Sequence, residues 1–335
     1  MYRLILTALL TFVVLPAQTK KVVVMNQPPE VIAEWQAVTD KVRLVPATAD
    51  TVMKEIIDAD GFVGNITPDM VRAGKKLVWT QTVSAGVEGV LHLTGSTALR
   101  DSNIILTNNQ IVQSPEIADH AFAMLLAHTR EIPRWIKQRE QELWQNRPHH
   151  LLELKGKSAL VIGMGGIGQQ ITVRAWAFGM KVVGVDPEDI PYSPMVDHVV
   201  KPDQINQELP NADVVFMAAP FTPQSANMIG PEQFELMKQN SYFIAVSRGG
   251  TYDLASLVKA LDSKRLAGAG VDVMNPEPLP KGHPLWSFEN VIITPHVAGR
   301  SDWDEFRMLG TAKENIRRFG EGLPFVNVVD KTKGW

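Results

Sequence analysis

The stretch Val161-Ile162-Gly163-Met164-Gly165-Gly166-Ile167-Gly168 decides how this chain is read. It puts a G-x-G-x-x-G pattern straight after an apolar run, Ser158–Gly163, and before a helical stretch, Gln169–Phe178. Between a strand and a helix each glycine has its own task. Gly163 permits the tight turn, Gly165 lets a pyrophosphate approach the backbone, and Gly168 lets helix and strand pack closely. Gly166 and Ile167 complete the turn. The helix that follows presents unpaired N–H groups and a partial positive charge to phosphate. The pattern alone also suits S-adenosylmethionine enzymes or a plain glycine turn, so the surrounding chain has to discriminate.

The next apolar run, Lys181–Val185, ends in Asp186, 23 residues after Gly163. A carboxylate at about this distance grips the adenosine ribose hydroxyls and repels a 2′-phosphate. No arginine follows in Pro187-Glu188-Asp189-Ile190, and two further acids do, so NAD is favoured over NADP. The runs Ser158–Gly163, Lys181–Asp186, Val214–Ala218, Tyr242–Val246, Gly268–Val273 and Val291–Thr294 read as six strands in an αβ rhythm, which is a doubly wound dinucleotide-binding sheet. Upstream, Val22–Met25, Val42–Val45, Gly61–Gly64, Leu77–Thr80 and Ile104–Thr107 read as strands, with Pro29–Thr39, Thr51–Ala59 and Thr67–Gly74 between them. Such alternation implies a second parallel sheet with helices on its faces. Ser114–Thr129 reads as a helix with Ser114 as N-cap and Pro115 at its first position. Ser301–Phe319 is a last helix without a strand to pair, so it is expected to cross back onto the first domain. The expected fold class is α/β: two Rossmann-like or flavodoxin-like domains with doubly wound parallel sheets and an active site in the cleft between them.

A length of 335 residues suits two domains. The formal net charge of −3 offers no basic excess to neutralise phosphates, which excludes nucleic acid as a partner class. With no cysteine, disulfides, thiolate metal sites and cysteine nucleophiles are excluded. Arg3 followed by the apolar stretch Leu4–Leu15 and then Pro16-Ala17-Gln18 has the layout of a secretory signal, so residues 1–18 are expected to direct export, to a periplasmic or external space; the alternative is a buried first strand, with the protein cytoplasmic if the leader does not function. The stretch is too short for a stable membrane span.

Three later segments carry the chemistry. Phe243–Gly250 puts Arg248 at a strand's carboxyl end, Gly270–Pro280 puts Asp272 and Glu277 after another, and Ile293–Gly299 puts His296 after a third. Ligands of open α/β sheets bind outside these strand ends, so the segments converge on one crevice. Hydride transfer to a ketone builds negative charge on oxygen. A protonated histidine supplies the proton, and a nearby carboxylate orients its ring. An arginine fork suits bidentate capture of a substrate carboxylate.

These motifs closely resemble the D-isomer-specific 2-hydroxyacid dehydrogenases. The matching stretches are GMGGIG at 163–168, VSRGG at 246–250, GVDVMNPEPLPKGHPLW at 270–286 and ENVIITPHVAG at 289–299. The resemblance implies that Arg248 binds substrate, that Glu277 pairs with His296 as the acid/base, and that Asp272 touches the nicotinamide. It implies that the backbone of Ala85-Gly86-Val87 holds the substrate carboxylate, and that Pro220, Thr222 and Val246 line the cofactor. It implies a discontinuous substrate domain, 19–110 plus 300–335, around a nucleotide domain of 111–299, and a homodimer. Formate oxidation is disfavoured because formate dehydrogenases carry glutamine where Glu277 stands. Thr251-Tyr252 departs from the apolar pair usual after RGG.

Other residues have blander readings. His120 and His128 are expected to pack or face solvent, His149-His150 lie in a loop, and no spacing suggests a metal site. Trp286, Trp303 and Arg307 are candidates for the substrate side-chain pocket, which draws on both domains and on a partner subunit if there is one; Trp286 reads equally well as a packing residue. A dinucleotide-sensing binding protein on the same fold is the competing function. The intact set of Arg248, Glu277 and His296 argues for turnover instead.

Overall fold

The computed structural model describes residues 19–335; the export leader expected over 1–18 lies outside the described residues. The first sheet holds β1 (Lys20–Met25), β2 (Val42–Ala47), β3 (Gly61–Val63), β4 (Trp79–Gln81) and β5 (Ile105–Thr107), all parallel, in the order β2-β1-β3-β4-β5. This is the flavodoxin-like order. Val22, Val23 and Val24 of β1 are all fully buried, as a strand covered on both faces requires. Pro46 is tolerated because β2 is an edge.

The second sheet holds β6 (Ser158–Ile162), β7 (Lys181–Val185), β8 (His198–Val200), β9 (Val214–Met217), β10 (Ser241–Ala245), β11 (Leu266–Val271) and β12 (Val291–Ile293). Its order is β12-β11-β10-β9-β6-β7-β8, the doubly wound dinucleotide-binding order with one added strand. Sequence reading finds six of these seven. The missed β8 is a three-residue edge strand, partly exposed along its length, with no apolar run to announce it. The strand order reverses between β6 and β9, so a crevice opens there at the carboxyl ends of the strands.

The helix Ser114–Thr129 begins one residue earlier than expected, with Gln113 rather than Ser114 in the cap position. Its Ala118, Ala121, Phe122, Met124 and Leu125 are buried against the second sheet. The last helix, Asp304–Glu321, returns to the first sheet as expected. Ala312, Ile316 and Phe319 recur at helical spacing and pack on Val22, Val42 and Trp79. The chain then adds Val329 to the same domain, where its N–H donates to Leu106 O at 2.9 Å. The two crossings between the sheets meet where the Gln113 side-chain amide donates to Gly299 O at 2.7 Å. No helix among the described residues is long and apolar enough to cross a membrane.

Candidate active site

A cleft of about 760 Å³ lies between the two sheets. Ala85, Gly86, Val87, Gly163, Gly165, Gly166, Ile167, Asp186, Pro220, Thr222, Val246, Arg248, Asp272 and His296 all line it. Gly168 and Glu277 stand behind its wall. The place of Gly168 follows from packing: a Cβ there would sit 1.9 Å from Gly163 O, so only glycine lets this helix approach β6. At Gly165 an added Cβ would meet nothing within 4 Å. Open space therefore faces the N-terminus of the helix Gly166–Ala177, and the site fits the pyrophosphate of a nicotinamide dinucleotide.

Asp186 lies at the end of β7. Its carboxylate accepts the Met164 N–H at 2.8 Å and the Glu188 N–H at 2.9 Å, which fixes it beside the glycine turn. The two acids that follow are not free negative charges. Glu188 is paired with Lys333 at 2.5 Å and Asp189 with Lys201 at 2.7 Å. Lys201 holds the Asp189 carboxyl below its usual range, and Glu188 raises the Lys333 ammonium. With two lysines as neighbours, neither acid adds an unpaired negative charge beside Asp186, which changes how 187–190 reads from the sequence. Both lysines are distant in sequence, so local reading of 187–190 could not show them.

Arg248 follows β10 and reaches across to the first domain. Its Nε donates to Glu88 Oε1 at 2.6 Å and its Nη1 to Ser247 O at 2.8 Å. The Nη2 edge is aimed at Gly86, where an added Cβ would stand 2.1 Å away. The missing side chain at Gly86 therefore admits the guanidinium to the loop Ala85–Val87. Glu88 was not singled out from the sequence. Its only local signal is an acid shortly after the Gly86 turn, and its role depends on a partner 160 residues away.

Beyond β11, Glu277 Oε2 lies 2.7 Å from His296 Nδ1, while Glu277 Oε1 accepts the Met274 N–H at 2.9 Å. With one carboxylate oxygen held by backbone, the other is fixed toward the ring. His296 itself has φ +54°, a left-handed backbone uncommon for a residue with a side chain. Asp272 stabilises that loop. Its buried carboxylate accepts from Thr294 Oγ1 at 2.6 Å and from the N–H groups of Val297 and Ala298, both at 2.9 Å. So most of its hydrogen-bonding capacity already shapes the histidine loop, in addition to any contact with nicotinamide. His120, expected to pack or face solvent, joins this network through Thr294 Oγ1 at 2.9 Å. His128 does pack: burial lowers its basicity, and its Nε2 lies 2.9 Å from Ala269 O.

The Thr251-Tyr252 departure fits the turn without strain. Thr251 Oγ1 donates to Arg248 O at 2.7 Å. The buried Tyr252 packs edge-on against Phe243 and donates to Val273 O at 2.6 Å, just before the segment that holds Glu277. Burial pushes the Tyr252 phenol well up. The expected substrate-pocket residues Trp286, Trp303 and Arg307 do not line the cleft. Trp286 donates to Pro280 O, Trp303 stacks edge-on with Phe306, and Arg307 pairs with Glu116 at 2.8 Å. From the same stretch of chain, Arg300 and Met308 line the cleft instead.

Comparison with known proteins agrees with this geometry. The family described as "D-isomer specific 2-hydroxyacid dehydrogenase, NAD binding domain" matches residues 122–298. The chain is 33% identical over 291 residues to the D-3-phosphoglycerate dehydrogenase of Methanocaldococcus jannaschii, covering 84% of this chain and 54% of that one. It therefore spans about half the length of that relative. It is 29% identical over 297 residues to the glyoxylate reductase of Korarchaeum cryptofilum, covering 85% of this chain and 87% of that one. The fold is shared with an NADPH-dependent glyoxylate/hydroxypyruvate reductase from Sinorhizobium meliloti solved with NADP and sulfate: TM-score 0.79, 24% identity, 94% of this chain and 100% of that one. The chain belongs to the D-isomer-specific 2-hydroxyacid dehydrogenase family, whose members bind a nicotinamide dinucleotide in this second domain.

Proposed function

We propose that this chain reduces a small 2-oxo acid to its D-2-hydroxy acid with NADH. The observation that carries the reading is the pairing of His296 Nδ1 with Glu277 at 2.7 Å in the cleft that also holds Arg248 and the glycine turn. A nicotinamide in this cleft supplies the hydride. The Arg248 guanidinium and the backbone N–H groups of Ala85–Val87 bind the substrate carboxylate and orient the ketone. His296 delivers a proton to the ketone oxygen as negative charge develops there, and Glu277, 2.7 Å from its Nδ1, holds the ring in place. The same ring, neutral, accepts the proton in the reverse direction. Asp186 beside the glycine turn supports NADH over NADPH. Homodimer formation and export through residues 1–18 belong to this proposal. Light scattering tests the first, and fractionation with N-terminal sequencing tests the second.

The test is to follow NADH and NADPH oxidation with a panel of 2-oxo acids, glyoxylate and hydroxypyruvate among them. NADH should give the higher kcat/KM, and Asp186→Ala should narrow the difference by removing both the ribose contact and the repulsion. Turnover of none of the acids with either cofactor would overturn the enzyme reading. Equal use of both cofactors by the unaltered protein would overturn the NADH preference alone.

A further inference from the structure

Three ion pairs join the two domains among the described residues. Glu116–Arg307 lies beside the crossings between the sheets, Glu88–Arg248 lies at the substrate loop, and Glu188–Lys333 lies two residues beyond the ribose acid. The last has no part in the chemistry proposed above. It is made by a short segment, Asp330–Trp335, whose construction is specific at both ends.

At its base the segment is anchored in the first domain. The Lys331 ammonium donates to the carbonyls of Leu99, Ser102 and Ile104 at 3.0, 2.6 and 2.8 Å, which uses all three of its protons. Asp330 Oδ1 accepts from Thr332 N, Thr332 Oγ1 and Lys333 N, and Gly334 N donates back to Asp330 O at 2.8 Å. Gly334 has φ +87°, so the turn needs glycine there. At its tip the segment meets the nucleotide domain through Lys333, which reaches Glu188, while Gly334 is placed so that a Cβ there would press on His92 of the first domain and come within 3.4 Å of Thr222 Cγ2, on the loop after β9. Gly334 and Trp335 line the same cleft as Asp186, Pro187 and Pro220. The segment therefore spans the cleft mouth from the end of β9 to the end of β7, over the half where the glycine turn and the ribose acid lie.

We propose that residues 331–335 form a cofactor-retaining strap: Lys333 closes the first domain onto Glu188 beside the ribose acid, and Trp335 forms part of the wall against the adenosine half of a bound nicotinamide dinucleotide. Lys333 also cancels the charge of Glu188 next to a ligand that carries phosphates. The inference rests on the reading that the dinucleotide occupies this cleft. It adds a contribution from the first domain, outside the glycine-turn domain, to how long the cofactor stays.

The test measures NADH binding and release directly, by NADH fluorescence at equilibrium and by stopped-flow displacement, on the full chain. Exposed pairs contribute little, so Lys333→Ala and Glu188→Ala should each raise the NADH dissociation rate by about two- to fivefold. The double variant should be no worse than either single one, and the exchanged pair Lys333→Glu/Glu188→Lys should recover most of the loss. Trp335→Ala should speed release further. The melting temperature without cofactor should stay constant while the increment produced by NADH shrinks, which a purely structural role would not give. Unchanged Kd and release rate in all of these variants would overturn the strap but leave the cofactor reading intact. Failure of the unaltered protein to bind NADH at all would overturn both.

Discussion

Gly86→Ala tests whether the guanidinium of Arg248 is the anchor of the substrate carboxylate. An added Cβ would stand 2.1 Å from Arg248 Nη2 and 2.5 Å from Glu88 Oε2, against about 3.4 Å for ordinary contact. The backbone here is closed in by the ends of two long side chains. Such ends can move, so the substitution should be tolerated by the fold, with a melting temperature within a few degrees of the unaltered protein. The movement is what harms function. Relief of the clash requires the guanidinium to shift by about 1.3 Å, and a misplacement of ~1 Å at a positioning group costs on the order of 10²-fold. The expected loss in kcat/KM for the 2-oxo acid is therefore about 10²-fold, or about 2.7 kcal/mol of transition-state stabilisation. Steady-state kinetics at saturating NADH, with NADH binding measured separately by fluorescence, separates the effect from loss of cofactor. Gly168→Ala is the contrasting control, because its Cβ would meet the Gly163 carbonyl, backbone that cannot swing aside, and NADH binding should fail. A folded Gly86→Ala protein with kcat/KM within threefold of the unaltered one would refute the assignment of Arg248 as anchor.

Two further outcomes follow from specific contacts. Glu277→Gln keeps the size of the side chain but removes the charge 2.7 Å from the His296 ring, so kcat for reduction should fall by about tenfold or more while the NADH Kd holds; an unchanged kcat would remove Glu277 from the mechanism. Glu314 on the last helix has its carboxyl pulled down to about 2, first by its hydrogen bond to Arg317 and then by Arg318, against an ordinary value of 4.5. A depressed folded value stabilises above the unfolded one and is lost as pH falls between them, here from about 4.5 to about 2. Because the side chain is about a third exposed, solvent screening limits the effect to about 1 kcal/mol, and the urea-midpoint gap between the unaltered protein and Glu314→Gln should close across that window.

Much of this architecture is legible in the sequence because it is locally encoded. The glycine turn, the acid at the end of β7 and the three motif-bearing loops are each short stretches with their own signatures. The strand order then brings them to one crevice without further information. What escaped reading depends on contacts between distant segments. Glu88 acquires its meaning from Arg248, and the acids at 188 and 189 change theirs when Lys333 and Lys201 arrive. The edge strand β8 has too few buried residues to leave a period. Trp286 and Trp303 are large aromatics near a motif that do not line the cleft of the single chain, and both stay exposed.

The bond from Gln113 to Gly299 ties together the only two places where the described chain passes between the sheets. Two crossings pinned at one point are placed as an axle would be, so an opening of the cleft is expected to turn about it. Gly299 has room for this because a Cβ there would press within 2.9 Å of the Gln113 amide. Points near an axle travel little and points far from it travel most. His296 stands three residues from the pin. The loop that leads into Ala85–Val87 is also tied close to the pin, through Asn108 and Asn109, while the segment that carries Lys333 reaches across from the opposite jaw. The acid and the substrate loop thus sit beside the same pin, so that an opening at the far side of the cleft need not disturb the aim of the acid.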